Sequence, residues 1–430
     1  MKKLWDKSGT KTDPAVEKYT AGTDFVFDMQ LMPFDIEASS VHAKGLEKIG
    51  ILTAGELKEI LSALKALGEA VHAGKIAMTP EDEDCHTVIE NYLVEKLGNT
   101  AKKIHTGRSR NDQVLVAVRL YLISNLKTLR KECIKLASAF LGLAEKYKDV
   151  PMPGYSHTQQ AMLSSLGHYF SSFTESLLDD ADYLALTLQH IDKSPLGSAA
   201  GFGVSIPLNR EFTAKELGFA GNQINSLYCQ NSRGKFESAY MESLAQIMLT
   251  LGKFASDMVL FTSQEFDFFA VDDALVTGSS IMPHKRNLDV MEIVRGNVSV
   301  VVANQLMVKD ISKNLISGYH RDGQLMKKPL FESTKIVADS IEVVALLLKG
   351  LTPKPESMSA KINAGIFAAD VANDLVMKKG VPFRDAYKQA MDLLGTQKPD
   401  FKKNIASKVS LGAPGNLGLE QLRKRIRSQK

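Results

Sequence analysis

The chain has 430 residues, enough for two or three domains, and its 44% hydrophobic and 24% charged residues are ordinary for a globular protein. A formal net charge of +4 at pH 7 is too small to indicate nucleic acid as a partner. Three cysteines, an odd number without metal-ligand spacing, indicate a reducing cytoplasmic setting and no metal site. No uninterrupted apolar stretch is long enough to span a bilayer, so we expect neither a membrane segment nor a secretion signal.

Residues 1–105 are predicted to form an N-terminal domain of short helices, one of which covers Glu56 to Ala73. Thr79 followed by Pro80 predicts another helix start, because threonine is a preferred cap and proline suits the first helical position. Residues 352–430 are predicted to form a C-terminal domain of short helices after the prolines of TPKP. Within it, residues 396–417 are rich in Gly, Pro, Lys and Ser and predict little regular structure.

Residues 106–351 are predicted to form a central bundle of long helices. Proline is absent from three long intervals, residues 81–150, 208–282 and 284–328, and proline is the residue that ends helices. No run with a period of two residues indicates a sheet, so the expected class is all-α. Apolar residues recur at helical steps in four segments: the stretch from Asp112 to Tyr147, Tyr240 to Phe261, Val290 to Ile311, and Phe331 to Leu351.

One polar loop, GSSIMPHKRN at residues 278–287, is a candidate site. Glycine beside two serines lets the chain move, and Pro283 and a helix expected from Asn287 or Leu288 limit that movement. The N-terminal end of this helix, together with Lys285 and Asn287, could hold a carboxylate beside a serine hydroxyl. The alternative is an ordinary surface loop, because Gly-Ser connectors followed by lysine are common.

Four further polar clusters interrupt the apolar pattern. TGRSRND, residues 106–112, opens the first long helix with two guanidinium groups and an amide, which suits a dicarboxylate, although it could also be only an elaborate helix cap. GYSHTQ, residues 154–159, places a histidine at an expected helix start, where histidine is more often structural than catalytic. PLGSAAG, residues 195–201, either lets the backbone approach a ligand or is a plain loop. The fourth cluster lies near a helix junction and could bind a polar substrate tail or stay solvated: Tyr319, Arg321, Gln324 and Lys327.

The loop GSSIMPHKRN resembles the signature GSSxMPxKxN of the fumarase/aspartase superfamily, whose members release fumarate from a succinyl group. Within the superfamily, TGRSRNDQV, DEDCHTVIE, GYSHTQ and PLGSAAG resemble the argininosuccinate lyase family. The resemblance runs from Leu4 to about Phe383. It implies an all-α fold of three domains whose central long helices form the core of a homotetramer, with active sites shared between subunits.

The resemblance also implies a carbon–nitrogen lyase that splits argininosuccinate into arginine and fumarate in arginine biosynthesis, without a metal or organic cofactor. The reaction removes a weakly acidic proton beside a carboxylate, so cations and amide donors must stabilise the resulting carbanion. Ser279 is implied to be the general base, its pKa lowered by Lys285 and the helix dipole. His157, oriented by Glu292, is implied on the side of the departing nitrogen.

Nine residues are implied by the resemblance to bind the substrate: Ser109, Arg110, Asn111, Ser156, Asn287, Tyr319, Gln324, Lys327 and His86. Of these, Gln324 and Lys327 are expected to hold the amino-acid end. The segment LYCQNSRGKFE, residues 227–237, departs from the family pattern. The family has an arginine in this segment, and either Arg233 or Lys235 could take its place here.

Two other functions remain as alternatives. One is another fumarate-releasing lyase, similar to adenylosuccinate lyase, which shares the serine-containing loop although TGRSRND does not match it. The other is an inactive structural protein of the crystallin type. A complete catalytic set favours an active enzyme, because function is argued from the site and not from the fold: Ser279, Lys285, Asn287, His157 and Glu292.

Overall fold

A computed structural model describes residues 13–394 and 400–429. Helices make up most of this part of the chain, so the predicted all-α class is confirmed. In chain order the α-helices are α1 (Pro14–Ala21), α2 (Asp24–Lys48), α3 (Ala54–His72), α4 (Cys85–Leu97), α5 (Asn99–Lys102), α6 (Arg110–Lys146), α7 (Leu166–Ile191), α8 (Arg210–Glu216), α9 (Ser226–Asn231), α10 (Lys235–Phe261), α11 (Asp289–Ser312), α12 (Lys327–Gly350), α13 (Pro355–Ala360), α14 (Ala368–Lys379), α15 (Phe383–Leu393), α16 (Phe401–Ala406) and α17 (Leu419–Gln429).

The four long helices predicted from apolar spacing are present as α6, α10, α11 and α12. Two more long helices, α2 and α7, were not predicted. Helix α2 contains Pro33, and its buried face carries Asp24, Asp28 and Asp35, so it shows no continuous apolar stripe. The helix predicted at Thr79 is only the three-residue 3-10 helix Pro80–Asp82.

Two small antiparallel sheets correct the expectation of no strands. Strand β1 (Pro151–Ser156) pairs with β2 (Gln159–Ser165), and β3 (Phe269–Val271) pairs with β4 (Leu351–Pro353). The strands are short, and two of the four, β1 and β4, contain proline or glycine, residues that are depleted in strands, so a clear period of two is absent from their sequences.

The chain divides into two compact units. Unit 1 comprises Met1–Thr128, Leu184–Leu244 and Val301–Lys335, and unit 2 comprises Leu129–Tyr183, Ala245–Val300 and Ile336–Lys430. Every boundary between the units falls inside one of the five helices α6, α7, α10, α11 and α12. The division of the sequence at residues 105 and 351 into three domains stays a prediction.

The core of unit 1 brings α2, α6 and α12 together. Every residue of α6 from Asp112 to Ile123 is buried, so this part of the helix is covered on all sides. The ring of Tyr121 lies edge-on to Phe331 of α12, with centroids 4.4 Å apart, and edge-on to Phe34 of α2 at 5.9 Å. This packing places the acidic face of α2 close to the start of α12.

The core of unit 2 is rich in aromatic side chains. Phe140 of α6 packs against Phe173 of α7, with ring centroids 5.5 Å apart, and against Phe254 of α10 at 5.0 Å. Gly252 allows α10 and α11 to approach closely, because a Cβ at this position would lie 2.4 Å from the Val298 side chain. Helix α11, which follows the candidate loop, is therefore fixed by direct packing.

The C-terminal region contains more structure than predicted. Helix α16 lies inside the segment expected to be irregular, and its Ile405 is buried. Gly415 lies so close to the carbonyl of Ile405 that a Cβ would be 2.6 Å from its oxygen. The glycines of this segment therefore permit close packing and do not indicate a lack of structure. Residues 396–399 of the same prediction lie outside the described residues.

Within the described residues, one segment, Ser226–Phe261, has the length and mean hydropathy of a membrane span, and 56% of its apolar window is buried inside the protein. A mostly buried apolar helix is typical of a protein core.

Candidate active site

The candidate loop, residues 278–286 and called the serine loop below, is closed at its base by two backbone hydrogen bonds. Thr277 and Asn287 form an antiparallel bridge with N–H to oxygen distances of 3.0 and 2.8 Å. The Asn287 side chain also donates to the carbonyl of Gly278 at 3.2 Å. Residues 280–286 are all exposed. The loop therefore has fixed ends and a solvated tip.

Ser279 is half-buried near the start of the serine loop. Its hydroxyl oxygen accepts the backbone N–H groups of Ile281 at 3.3 Å and Met282 at 3.1 Å. Two N–H donors favour the negatively charged form of an oxygen, which is the direction that a serine base requires. The ammonium of Lys285 is exposed and has no hydrogen-bond or ion-pair partner in the described part of the chain. It is available to bind an anion.

Helix α11 begins at Asp289, just after the predicted start. The hydroxyl of Thr277 donates to the Asp289 carboxylate at 2.6 Å, so an acid already complements the helix dipole. Glu292 lies in the same first turn, and its exposed carboxylate has no hydrogen-bond or ion-pair partner among residues 13–394 and 400–429. The predicted anion site consists of Lys285, Asn287 and the start of α11. The Asn287 amide already donates to the carbonyl of Gly278, so the Lys285 ammonium is the group that is available to an anion.

His157 lies at the tip of the β1–β2 hairpin, so the helix start predicted here is wrong. The strands pair as far as Ser156 and Gln159, which leaves His157 and Thr158 as a two-residue turn with φ of 52° and 61°. Left-handed φ at both positions is the geometry that matches the twist of a hairpin. The His157 imidazole is exposed, and no hydrogen bond links it to Glu292 within the described residues.

The hairpin that carries His157 is held by contacts between its strands and neighbouring segments. Gln160 donates to the carbonyl of Lys361 at 2.6 Å and accepts the N–H of Asn363 at 3.1 Å. Tyr155 packs its ring against Phe266, with centroids 5.8 Å apart. Non-glycine residues with left-handed φ cost about 1–3 kcal/mol each and persist only where the surroundings hold them. These contacts are what hold the strained turn in place.

The start of α6 holds three of the predicted substrate-binding residues, Ser109, Arg110 and Asn111. The Arg110 guanidinium donates to Asp84 at 2.5 and 2.7 Å and to the hydroxyl of Thr87 at 2.8 Å. Burial opposes ionisation of Asp84, but the charges of His86 and Arg110 outweigh it and lower the pKa of Asp84 to about 2. A substrate carboxylate that binds Arg110 must therefore share the guanidinium with Asp84.

Asp112 joins the TGRSRND and PLGSAAG segments. Its buried carboxylate accepts three backbone N–H groups at 2.9 Å, one from its own segment and the others from Gly197 and Ala199. Gly197 and Ala199 have φ of 82° and 52°, which turns their N–H groups toward the acid. The two clusters, which the sequence indicated separately, are therefore held together by the hydrogen bonds of one carboxylate.

His86 and Asp35 form a buried pair. Nδ1 of His86 lies 2.7 Å from a carboxylate oxygen of Asp35, which also accepts the Gln113 amide at 3.0 Å. Burial lowers the pKa of His86, but the carboxylates of Asp35, Asp84 and Asp28 outweigh it, and the net pKa is raised. Nε2 is buried and has no hydrogen-bond partner among the described residues. A charged imidazole with a free donor suits an anionic substrate group.

Asp35, Cys85 and His86 also place possible metal-ligand atoms within 4.8 Å of one another. The Cys85 sulfur lies 3.7 Å from the His86 nitrogen that is already bonded to Asp35. Burial and the nearby carboxylates raise the pKa of Cys85 well above its usual value, so the thiol keeps its proton. Because metals bind the thiolate, the donor set suits a hydrogen-bonded group better than a metal centre.

Lys327 begins α12 and is buried against two carboxylates of α2. Its ammonium lies 2.6 Å from Asp24 and 2.5 Å from Asp28. Burial opposes the charge on Lys327, but the two acids outweigh it and raise its pKa above the usual value. Burial raises the pKa of Asp24 to about 6, against the lowering effect of Lys327. These three side chains, called the Lys327 triad below, carry one positive and two negative charges when ionised.

Tyr319 and Gln324 lie just before α12. The Gln324 amide donates to the carbonyl oxygens of Thr20 and Ala21 at 2.9 and 3.3 Å, so it faces the chain that leads into α2. The ring of Tyr319 lies beside Arg233, with Cζ 5.0 Å from the ring centroid. Thus unit 1 brings together Tyr319 and Arg233 in one place, and Gln324 and the end of α1 in another.

The acids of α2 are functional candidates that the sequence prediction missed. Asp24, Asp28 and Asp35 are four and seven residues apart, so they share one helical face, and all three are buried. Acids at this spacing predict buried cationic partners, because carboxylates are seldom fully buried unpaired. Pro33 obscures this signal, because a proline in the middle of a segment disfavours a helix across it.

We expect Lys327→Met to lower the free energy of unfolding by about 3–5 kcal/mol near neutral pH, because it leaves buried carboxylates unpaired. Without the ammonium, the raised pKa of Asp24 rises further, so the folded chain takes up a proton at a higher pH than the unfolded chain. The deficit relative to the unsubstituted protein should therefore shrink as the pH falls from about 8 to about 5.

Urea unfolding at several pH values measures this effect. Lys328→Met is the matched control, since Lys328 is an exposed neighbour. A deficit that does not change with pH would show that the Asp24 carboxylate is not what Lys327 stabilises.

Comparison with known proteins indicates a lyase, in agreement with the motifs described above. The sequence model of the family described as lyase matches residues 7–303. The argininosuccinate lyase of Thermotoga neapolitana is 44% identical over 396 residues, covering 92% of this chain and 99% of the relative. That of Sorangium cellulosum is 41% identical over 425 residues, covering 99% and 98%.

A crystal structure of EDDS lyase in complex with formate has a TM-score of 0.80 and 21% identity to this chain, covering 98% of this chain and 90% of the other. At this identity the likeness shows a shared fold. The family model matches most of the sequence, and the two relatives align over nearly their full length. Both findings point to the same family as the motifs of the serine loop and of the start of α6. On this evidence the chain belongs to the argininosuccinate lyase family.

Proposed function

We propose that this protein cleaves argininosuccinate into arginine and fumarate, as a cytoplasmic carbon–nitrogen lyase of arginine biosynthesis. The serine loop supports the proposal most directly. Ser279 accepts two backbone N–H groups, and the same loop presents the ammonium of Lys285, which has no partner among residues 13–394 and 400–429. A base beside a cation is what removal of a proton next to a carboxylate requires. The shared name of the relatives supports the choice of substrate.

In the proposed mechanism, the ionised hydroxyl of Ser279 takes the proton from the carbon beside a succinyl carboxylate and becomes neutral. Electron density moves onto that carboxylate, where Lys285 and Asn287 stabilise it. The carbon–nitrogen bond then breaks, the double bond of fumarate forms, and the departing guanidino nitrogen is protonated. His157, oriented by Glu292, serves as the acid on that side. No step requires a cofactor.

The remaining site residues are proposed to hold the substrate in position. Carboxylates are assigned to the start of α6 and to Tyr319, and the amino-acid end is assigned to the region of Gln324 and Lys327. The buried Nε2 donor of His86 supports an anion-binding role. The proposed substrate-binding set is Ser109, Arg110, Asn111, Ser156, Asn287, Tyr319, Gln324, Lys327 and His86.

We further propose a homotetramer in which the central long helices form the core and each site takes residues from more than one subunit. Helix α11 supports this proposal, because it buries one face and exposes large apolar side chains elsewhere, a pattern typical of a helix with a second partner. The exposed residues are Ile293, Val300, Val302, Leu306 and Met307. The absence of a link between His157 and Glu292 in the described part of one chain fits residues that meet across subunits.

The function is tested by incubating the purified protein with argininosuccinate and following fumarate by its ultraviolet absorption. We expect fumarate release from argininosuccinate and none from adenylosuccinate or aspartate. Release from adenylosuccinate alone would favour the other fumarate-releasing lyase. No release from any of the three would favour an inactive structural protein.

We expect His157→Gly to lower turnover by roughly 10²–10⁴-fold, the usual contribution of an acid–base group, while leaving stability equal or higher. Glycine adopts left-handed φ without strain, so losing histidine here removes a backbone cost. Thermal unfolding and steady-state turnover of argininosuccinate measure the two effects.

Thr158→Gly is the matched control, because it relieves the same kind of strain at the next position and keeps the imidazole. It should hold turnover within a few-fold. If both variants lose activity equally, the turn geometry and not the His157 side chain supports catalysis.

A further inference from the structure

Arg286 is the last residue of the serine loop, and its side chain contacts residues 271–277, which lead into the loop and are called the entry segment below. Nη2 donates to the carbonyl oxygen of Val271, the last residue of β3, at 2.8 Å. Nη1 forms an ion pair with Asp273, at the start of a short 3-10 helix. Two nitrogens of one planar guanidinium therefore hold two points of the entry segment, which fixes the direction of the side chain.

The entry segment is itself held by the fold of unit 2. Its first residue belongs to β3, which pairs with β4. The N–H of Asp272 donates to the carbonyl oxygen of Gly350 at 3.0 Å. Gly350 also lies so close to the segment that a Cβ there would be 2.5 Å from the Leu275 side chain. Arg286 thus connects the end of the serine loop to a part of the protein that backbone pairing and close packing hold in place.

The place of Arg286 in the sequence bears on the two reactive groups of the serine loop. Ser279 lies two residues after the entry segment, and Lys285 directly precedes Arg286. Consecutive Cα atoms are about 3.8 Å apart, so fixing Arg286 restricts where Lys285 can lie. The contacts of Arg286 therefore limit the distance between the Ser279 hydroxyl and the Lys285 ammonium.

The ion pair of Arg286 and Asp273 is exposed, unlike the buried ion pairs of the Lys327 triad. The two side chains are 53% and 83% exposed. Exposed ion pairs contribute little to global stability, because water screens the charges and holding two long side chains costs entropy. The effect of this pair is therefore expected on the local geometry of the serine loop and not on unfolding of the protein.

We propose that Arg286 is a positioning residue: by binding the entry segment it keeps the Lys285 ammonium close enough to Ser279 to act when the proton is removed. The inference rests on the proposed function and adds a residue that acts through another. Direct binding of a substrate anion is the other role open to an arginine in this loop. Asp273 disfavours that role, because the anion would have to compete with a carboxylate for the guanidinium.

Substitutions on both sides of the ion pair test the proposal through kcat and KM for argininosuccinate. Arg286→Gln should lower kcat by roughly 10- to 100-fold, the range for a small misplacement of a reacting group, with KM within about threefold. Asp273→Asn should lower kcat by a smaller factor, because the bond from Arg286 to Val271 remains. The melting temperature of both variants should stay within about 2 °C of normal.

Two further variants separate positioning from charge. The double variant Arg286→Gln/Asp273→Asn should be no less active than Arg286→Gln alone, because both changes remove the same contact. Arg286→Lys should recover part of the lost kcat, because an ammonium reaches one of the two acceptors but lacks the planar fork.

The matched control is the ion pair of Lys354 and Asp267, which is also exposed, lies in unit 2 and does not involve the serine loop. Its Nζ to oxygen distance is 2.5 Å. Lys354→Gln and Asp267→Asn remove the same kinds of charge as the test variants and should leave kcat and KM unchanged.

Hydrogen exchange gives a measurement that needs no substrate. The N–H groups of Thr277, Lys285 and Asn287 are hydrogen-bonded within the serine loop and at its ends. They should exchange several-fold faster in Arg286→Gln than in the unsubstituted protein, because local opening becomes easier. In Lys354→Gln their exchange should be unchanged.

Normal kcat and normal exchange in Arg286→Gln would overturn the proposal. A raised KM with normal kcat in Arg286→Gln, together with undiminished kcat in Asp273→Asn, would instead assign Arg286 to direct binding of the substrate. A double variant whose losses multiply would show that the two side chains do not act through one contact. The proposed function fails separately, through the absence of fumarate release by the unsubstituted protein, and hydrogen exchange still decides whether Arg286 holds the loop.

Discussion

Ser279→Ala is expected to lower turnover of argininosuccinate by about 10³-fold or more, while KM and the melting temperature stay nearly unchanged. The hydroxyl is used when the proton is removed and contributes little to ground-state binding. Its loss frees the N–H groups of Ile281 and Met282, but both residues are exposed, so water can replace the serine oxygen. Steady-state kinetics and thermal unfolding of the variant measure the effect.

Ser280→Ala is the control for this substitution, because Ser280 is the exposed neighbour in the same loop. It should keep turnover within a few-fold. A Ser279→Ala variant with more than about a tenth of normal turnover would remove Ser279 from the role of base, since an essential general base contributes more than that.

Mixing two inactive variants should restore activity if the sites are shared between subunits. His157→Asn and Ser279→Ala chains are each expected to be nearly inactive alone. If His157 and Ser279 of one site come from different chains, random mixing leaves both residues intact in about a quarter of the sites. We therefore expect co-refolded chains to regain about a quarter of normal activity, although no chain in the mixture is unsubstituted.

The control is each variant refolded alone at the same total concentration, with light scattering to confirm tetramers in every sample. This separates repaired sites from simple stabilisation. Mixed tetramers no more active than the separate variants would mean that each chain supplies both residues of its own site.

The long helices could be predicted because each is long enough to repeat an apolar spacing many times. Helix α6 repeats apolar residues at helical spacing over most of its length, because this helix is buried in the protein core. The pattern fails for α2, where buried acids replace apolar residues and Pro33 lies inside the helix. It also fails for the hairpin of β1 and β2, whose turn is formed by His157 and Thr158 and not by glycine.

The sequence by itself determined which residues belong to the serine loop and to the start of α6, because motifs of consecutive residues carry their own chemistry. Only the tertiary structure decided which charges remain available. Lys327 and Arg110 look like free cations in the sequence, yet acids from α2 and from the start of α4 neutralise them. Arg233 and Lys235 look alike in the sequence, but in the structure Tyr319 and Gly323 hold the Arg233 guanidinium, and its buried Nη1 has no hydrogen-bond partner among the described residues. Ion pairs form between side chains that are close in space but far apart in the chain, so local sequence spacing does not reveal them.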